Sequence, residues 1–163
     1  MGSNEAIRRR VECWQARAQA VGVDVPATGC PEDYDESTPE RTFAEFMLFW
    51  KQRNYGNVAT LIMDYYNRPI NMRAGEIRQD FGHIKPSTFT LLSITDTALA
   101  TTTLTSLIYY TEKDEEKTAE ISVDLIYVDA ANTAMLRGEP NGRWQIHQRS
   151  FNPIIVPHLM EPT

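Results

Sequence analysis

The stretch from Thr118 to Ala130 constrains the fold most tightly. Ala119, Ile121, Val123, Leu125 and Tyr127 alternate with Thr118, Glu120, Ser122, Asp124 and Ile126. A period of two places successive side chains on opposite faces of a strand, so this segment buries one face and leaves most of the other in water. The runs Thr88 to Thr95, Leu99 to Thr111 and Arg143 to Phe151 share its richness in Thr, Ile, Val, Leu and Tyr and read as three further strands. Between the second and third, Lys113 to Lys117 is a charged hairpin tip. Asn141-Gly142 carries the signal of a tight turn before the last strand. Strands that follow one another in this way predict an antiparallel meander.

Before Ser87 the apolar period is helical. Thr38-Pro39-Glu40 supplies an N-cap, a proline suited to the first turn and an acid that complements the helix dipole. Phe43, Phe46, Met47 and Trp50 then make one wide apolar face, through to about Gln52. Asn54-Tyr55-Gly56 interrupts it, and a second helix over Asn57 to Tyr66 turns Val58, Leu61, Ile62 and Tyr65 toward the same core. Arg68 to Met72 reads as an extended connection, because the residue before a proline is pushed out of the helical region. A third helix spans Ala74 to Phe81, with Gly82 as its C-cap. Helices first and strands after predict an α+β domain. About three helices would pack on a curved antiparallel sheet of four or more strands, with a separate N-terminal helix.

That first helix is expected over Asn4 to Ala20, where Ile7, Val11, Trp14 and Ala18 recur at helical steps. The stretch from Val21 to Pro39 carries Gly22, Pro26, Gly29, Pro31 and Pro39 with Glu32, Asp33, Asp35 and Glu36, and reads as an acidic linker. The domain division is therefore 1–38 for helix and linker, 39–155 for the main domain and 156–163 for a tail. The four linker acids lack the glycine-centred spacing of a calcium loop. Cys13 and Cys30, the two cysteines, are not arranged as a zinc site. No metal and no cofactor are expected. With 16 basic against 22 acidic residues the net charge is −6, which argues against general affinity for nucleic acid or an anionic membrane. No window approaches 18 apolar residues, and a cytoplasmic setting is the expectation.

From Pro39 to Pro153 the pattern resembles the nuclear transport factor 2-like superfamily, the cone-shaped α+β roll that also houses ketosteroid isomerases and SnoaL-type polyketide cyclases. The resemblance is carried by the helix break at Arg53-Asn54-Tyr55-Gly56, the helix Gly75-Glu76-Ile77-Arg78-Gln79-Asp80-Phe81, the long strands and the closing Gly142-Arg143-Trp144-Gln145-Ile146. It implies an enzyme, a dimerisation module or an appended ligand-binding domain, since one fold serves all three. In the isomerases the general base is a carboxylate on the connection after the second helix. Here Arg68 to Met72 holds no acid. Arg68 and Asn71 could orient a substrate, but neither is a base near neutral pH.

No catalytic set is assigned. The acid/base candidates are Asp64, Asp80 and His83; Asp64 is expected inside the second helix facing water, and His83 in a solvated Gly-His-Ile loop. A ligand pocket would be lined by Trp50, Tyr65, Tyr127, Trp144 and Gln148. Gln148 and Ser150 are in phase with Trp144 and Ile146, so they should point inward, where an unsatisfied polar group costs roughly 1 to 3 kcal/mol. Thr101, Thr103 and Thr105, with Ile126 and Val128, suggest a homodimer through the outer face of the sheet. The leading expectation is a noncatalytic module that binds a small apolar ligand, mediates dimerisation, or both. The alternatives are a cofactor-free lyase or isomerase, and a protein-interaction domain with a packed cone.

Overall fold

The computed structural model describes residues 30–64 and 68–159. The expected N-terminal helix and Tyr65 lie outside the described residues. A 3-10 turn at Pro31–Asp33 is followed by α1 (Pro39–Lys51), α2 (Tyr55–Leu61) and α3 (Ile70–Phe81). Four strands come next: β1 (Ile84–Asp96), β2 (Thr101–Glu112), β3 (Glu115–Val128) and β4 (Arg143–Ile146). A second 3-10 turn, Gln148–Phe151, leads into α4 (Asn152–Leu159). The strands pair antiparallel in the order β1-β2-β3-β4, so the meander and the α+β class are as expected.

The alternation in β3 holds: Ile121, Val123, Leu125 and Tyr127 are buried, and Thr118, Glu120 and Ser122 are exposed. In β2 the buried phase is Thr102, Leu104, Ser106, Ile108, Tyr110 and Glu112. Three of its polar members find partners within the sheet, although Glu112 Oε2 is buried without a hydrogen bond. Ser106 Oγ donates to Thr90 O at 3.0 Å, Thr102 Oγ1 to Asp96 Oδ1 at 3.0 Å, and Lys117 Nζ to Glu112 Oε1 at 2.9 Å. Glu112 pairs with Glu115, which leaves Lys113 and Asp114 as a two-residue turn with φ of 52° and 64°. Two positive φ values are what a type I′ hairpin requires. Register shifts between Pro86 and Thr88 and between Leu91 and Ser93 bulge β1, and such bulges bend a strand and increase its twist.

Helix α1 lies against this sheet through Phe43, Phe46, Met47 and Trp50, all buried. Thr38 caps it, accepting from the Arg41 amide at 3.3 Å. Inside, Phe46 stacks on Phe151 with centroids 4.7 Å apart, Trp50 meets Phe81 edge-on at 5.0 Å, and Phe43 meets Phe89 at 5.0 Å. Trp50 Nε1 donates to Phe81 O at 3.2 Å, so the indole is buried with its polar atom paired.

Five expectations change. Helix α2 ends at Leu61 rather than Tyr66, because Ile62 bridges to Ile146 and the Met63 amide donates to Ile146 O at 2.9 Å, extending the sheet edge. Helix α3 begins at Ile70, four residues early, since Pro69 restrains Arg68 and not the residues after it. Strand β4 stops at Ile146; residues expected to continue it to Phe151 form a 3-10 turn instead, which leads into a helix that carries Pro153 in its first turn, a position proline suits. Helix α4 runs on to Leu159, through the expected start of the tail. Finally, the end of the acidic stretch is packed. Cys30, Pro31 and Tyr34 are buried, and the Cys30 amide donates to Asp33 Oδ2 at 3.0 Å.

Candidate functional site

Tyr127 and Trp144 are cross-strand partners in β3 and β4, with ring centroids 5.1 Å apart. Their inward phase follows from the alternation that buries Val123 and Leu125. Each polar atom is held by backbone from a distant segment. Tyr127 Oη donates to Glu139 O at 2.6 Å, and Trp144 Nε1 donates to Ser37 O at 3.0 Å. Ser37 takes φ of 67°, a left-handed conformation that costs a non-glycine residue roughly 1 to 2 kcal/mol. The Trp144 bond helps hold it there.

The pair forms the floor of a cleft of about 690 Å³, walled by Ser37 to Pro39, by Asp96 and Thr102, and by the connection Arg137 to Gly142. Arg137 fastens that connection to the β1–β2 turn. Its Nη2 donates to Ala98 O, Thr101 O and Thr102 Oγ1 at 2.8, 2.6 and 3.1 Å, and its Nε stands 3.5 Å from Asp96 Oδ1. A second cleft of about 600 Å³ shares Ser37, Gly142 and Trp144, and continues along Arg41, Glu45, Leu61, Ile70, Arg73, Arg143 and Gln145. Gln145 is buried and donates through Nε2 to Thr60 O at 3.1 Å.

Of the expected ligand-lining residues, Tyr127 and Trp144 are brought together. Trp50 sits in the aromatic core, 1% exposed. Gln148 is half-buried on the 3-10 turn, where its Nε2 donates to Asp80 Oδ2 at 2.8 Å. Ser150 Oγ accepts from the Asp124 amide at 3.0 Å. The inward polar groups that pointed to a ligand in the sequence thus have protein partners, because the chain leaves the strand at His147.

The acid/base candidates are dispersed. His83 is exposed in the turn after α3, and Asp80 is half-buried beside Gln148. Asp64 is the correction: it is 5% exposed, and it lies on the connection after α2, not inside a helix facing water. Its Oδ2 accepts from the Arg68 amide at 2.6 Å, and its carboxylate lies 3.4 Å from Arg68 Nε and 3.7 Å from Arg73 Nε. Arg73 Nη2 also donates to Ala59 O and Ile62 O, both at 2.6 Å, so this cluster closes the end of α2. Burial pushes the Arg73 pKa down, with Asp64 opposing the shift. On the outer sheet face Val128, one of two apolar residues expected there, is fully buried.

Ser37, Arg73 and Arg137 were not legible as site residues. Only Asn141-Gly142 signalled that the chain turns back here, and Asn141 indeed takes φ of 70°. Among the described residues no group of three or more His, Cys, Asp or Glu side chains is placed to hold a metal ion. No described helix is long and apolar enough to cross a membrane.

No protein-family model matches the sequence, and no curated protein matches it. Among solved structures the chain is similar to a SEC-C motif containing protein from Psychrobacter arcticus, with a TM-score of 0.57 at 9% identity, covering 95% of this chain and 85% of that one. It is also similar to a ketosteroid isomerase-like protein from Erwinia carotovora atroseptica, with a TM-score of 0.40 at 13% identity, covering 69% of this chain and 92% of that one. At 9% identity the first of these likenesses is one of fold alone.

Proposed function

We propose that this chain is a noncatalytic module of the nuclear transport factor 2-like kind, which binds a small apolar ligand in the cleft over Tyr127 and Trp144. The observation that carries this reading is the pairing of those two aromatics at the floor of a roughly 690 Å³ cleft, within the size range of small-molecule sites. Their polar atoms are already bonded to Glu139 O and Ser37 O, so what they offer a ligand is ring surface. The roll behind the cleft is filled by Phe43, Phe46, Trp50, Phe81 and Phe151, which keeps the floor rigid. Titration of the full chain with the apolar fluorophore N-phenyl-1-naphthylamine tests the reading. Saturable binding that weakens at least several-fold in Trp144→Ala, and survives in Trp50→Phe, supports it. Binding indifferent to Trp144 counts against it.

One observation favours the isomerase alternative. Asp64 stands on the connection after α2, where the resemblance puts the catalytic carboxylate. Its ion pairs with Arg68 and Arg73 support a structural role instead, because a general base must be within reach of a substrate proton. Dimerisation through the outer sheet face remains part of the proposal, carried by half-buried Leu107, Tyr109 and Ile126 in the outer phase. Sedimentation at about tens of micromolar decides it.

A further inference from the structure

The chain is acidic overall, yet one cleft gathers three arginines. Arg41 of α1, Arg73 of α3 and Arg143 of β4 line the roughly 600 Å³ cleft beside Trp144, with Glu45 as the acid among its lining residues. Glu45 lies 3.4 Å from Arg41 and the buried Asp64 3.7 Å from Arg73, so three guanidiniums against two carboxylates leave the wall with an excess of one positive charge. Each is held from behind. Arg41 Nη1 donates to Tyr34 O at 3.3 Å, Arg73 Nη2 to Ala59 O and Ile62 O, and Arg143 Nη1 to Asp129 O at 3.0 Å, with Nη2 on Asn132 Oδ1. A guanidinium has five N–H donors in a fixed plane, so such bonds set its orientation and leave donors over. Arg41 Nε lies 3.4 Å from Glu45 Oε1 and is buried with no hydrogen-bond partner.

Two of the cations are also partly dry, while Arg143 is exposed. The side chains of Arg41 and Arg73 are 23% and 16% exposed, and desolvation is the leading cause that lowers the Arg73 pKa. A partly desolvated guanidinium gains from an anion that replaces lost water. Beside them Leu61, Ile70 and Trp144 supply apolar wall, and Ile70 is 46% exposed.

We propose that this cleft binds a small organic carboxylate, its head group between Arg41, Arg73 and Arg143 and its apolar body along Leu61, Ile70 and Trp144. The planar carboxylate matches a guanidinium edge through two parallel hydrogen bonds. The site is distinct from the cleft floored by Tyr127, although Ser37, Gly142 and Trp144 border both.

Calorimetric titration of the full chain with sodium octanoate and with 1-octanol, which differ only at the head group, provides the test. Octanoate should bind at least about tenfold more tightly, and its affinity should fall several-fold between about 20 and about 300 mM salt. Arg41→Gln and Arg143→Gln should each weaken octanoate several-fold and leave octanol unchanged. Equal binding of the two probes, affinity independent of salt, or equal displacement by inorganic phosphate would overturn the proposal. The salt dependence is read on the unaltered chain, so the test survives a variant that fails to fold. Loss of naphthylamine binding with octanoate retained would remove the apolar-ligand reading alone, and the reverse would remove this one.

Discussion

Gly142 lies against the ring of Tyr127 so closely that a β-carbon on it would stand 2.2 Å from Tyr127 Cζ and 2.7 Å from its hydroxyl oxygen. The hydroxyl is already bonded to Glu139 O, and the ring is packed on Trp144, so it has little room to retreat. Gly142 borders both clefts, and its missing side chain is part of their shape.

Gly142→Ala should therefore destabilise the chain by roughly 1 to 3 kcal/mol, the usual cost of overpacking. Naphthylamine binding should weaken with it. Tyr127→Phe, which removes only the bond to Glu139 O, should cost about 0.5 to 1.5 kcal/mol and leave most of the binding. Urea unfolding together with the fluorescence titration checks both, and an alanine at 142 without effect would contradict the packing.

Asp64→Asn should be among the most damaging conservative changes. It leaves the Arg73 guanidinium, largely buried and 3.7 Å away, without its counter-charge. Breaking one side of a buried pair typically costs roughly 3 to 5 kcal/mol. Arg68 is half-exposed, so its share is smaller. A melting temperature left unchanged by Asp64→Asn would return Asp64 to consideration as a catalytic base.

Phe151→Ala removes a ring that stacks on Phe46 and meets Trp50 and Phe81 edge-on. The expected loss is about 3 to 5 kcal/mol. The same loss would show that the segment after β4 belongs to the core, and chemical denaturation with unchanged m-value would be its signature.

Stability should fall on mild acidification through His147. Burial, and then Arg149, push its imidazole pKa below the ordinary 6.5, and Asp124 only partly opposes this. The folded chain binds this proton more weakly than the unfolded chain does. The contribution is thus fully present above about pH 6.5 and is lost as pH falls from there toward the folded value, below which it changes no further. Melts across about pH 5 to 8 should show this slope in the native chain and a flatter one in His147→Gln. Identical slopes would mean that other groups carry the acid sensitivity.

What the sequence determined by itself was local. The period-two run through Ile121, Val123 and Leu125 specified strand and buried face together, and Thr38-Pro39 with Phe43, Phe46 and Trp50 specified where α1 starts and which side it buries. Such signals repeat every two to four residues, and backbone geometry alone links them to structure. Tertiary structure decided whatever depends on distant partners. Helix α2 ends at Leu61 because Met63 finds Ile146 O, more than eighty residues away, and Asp64 is buried because that pairing draws the connection inward beside Arg73. Trp144 was legible as an inward aromatic, but its bond to Ser37 O was not, since nothing within a few residues of either carries a trace of the other. Gln148 shows the same limit in reverse: its strand-like phase suggested a free inward amide, and the turn toward Pro153 delivered it to Asp80.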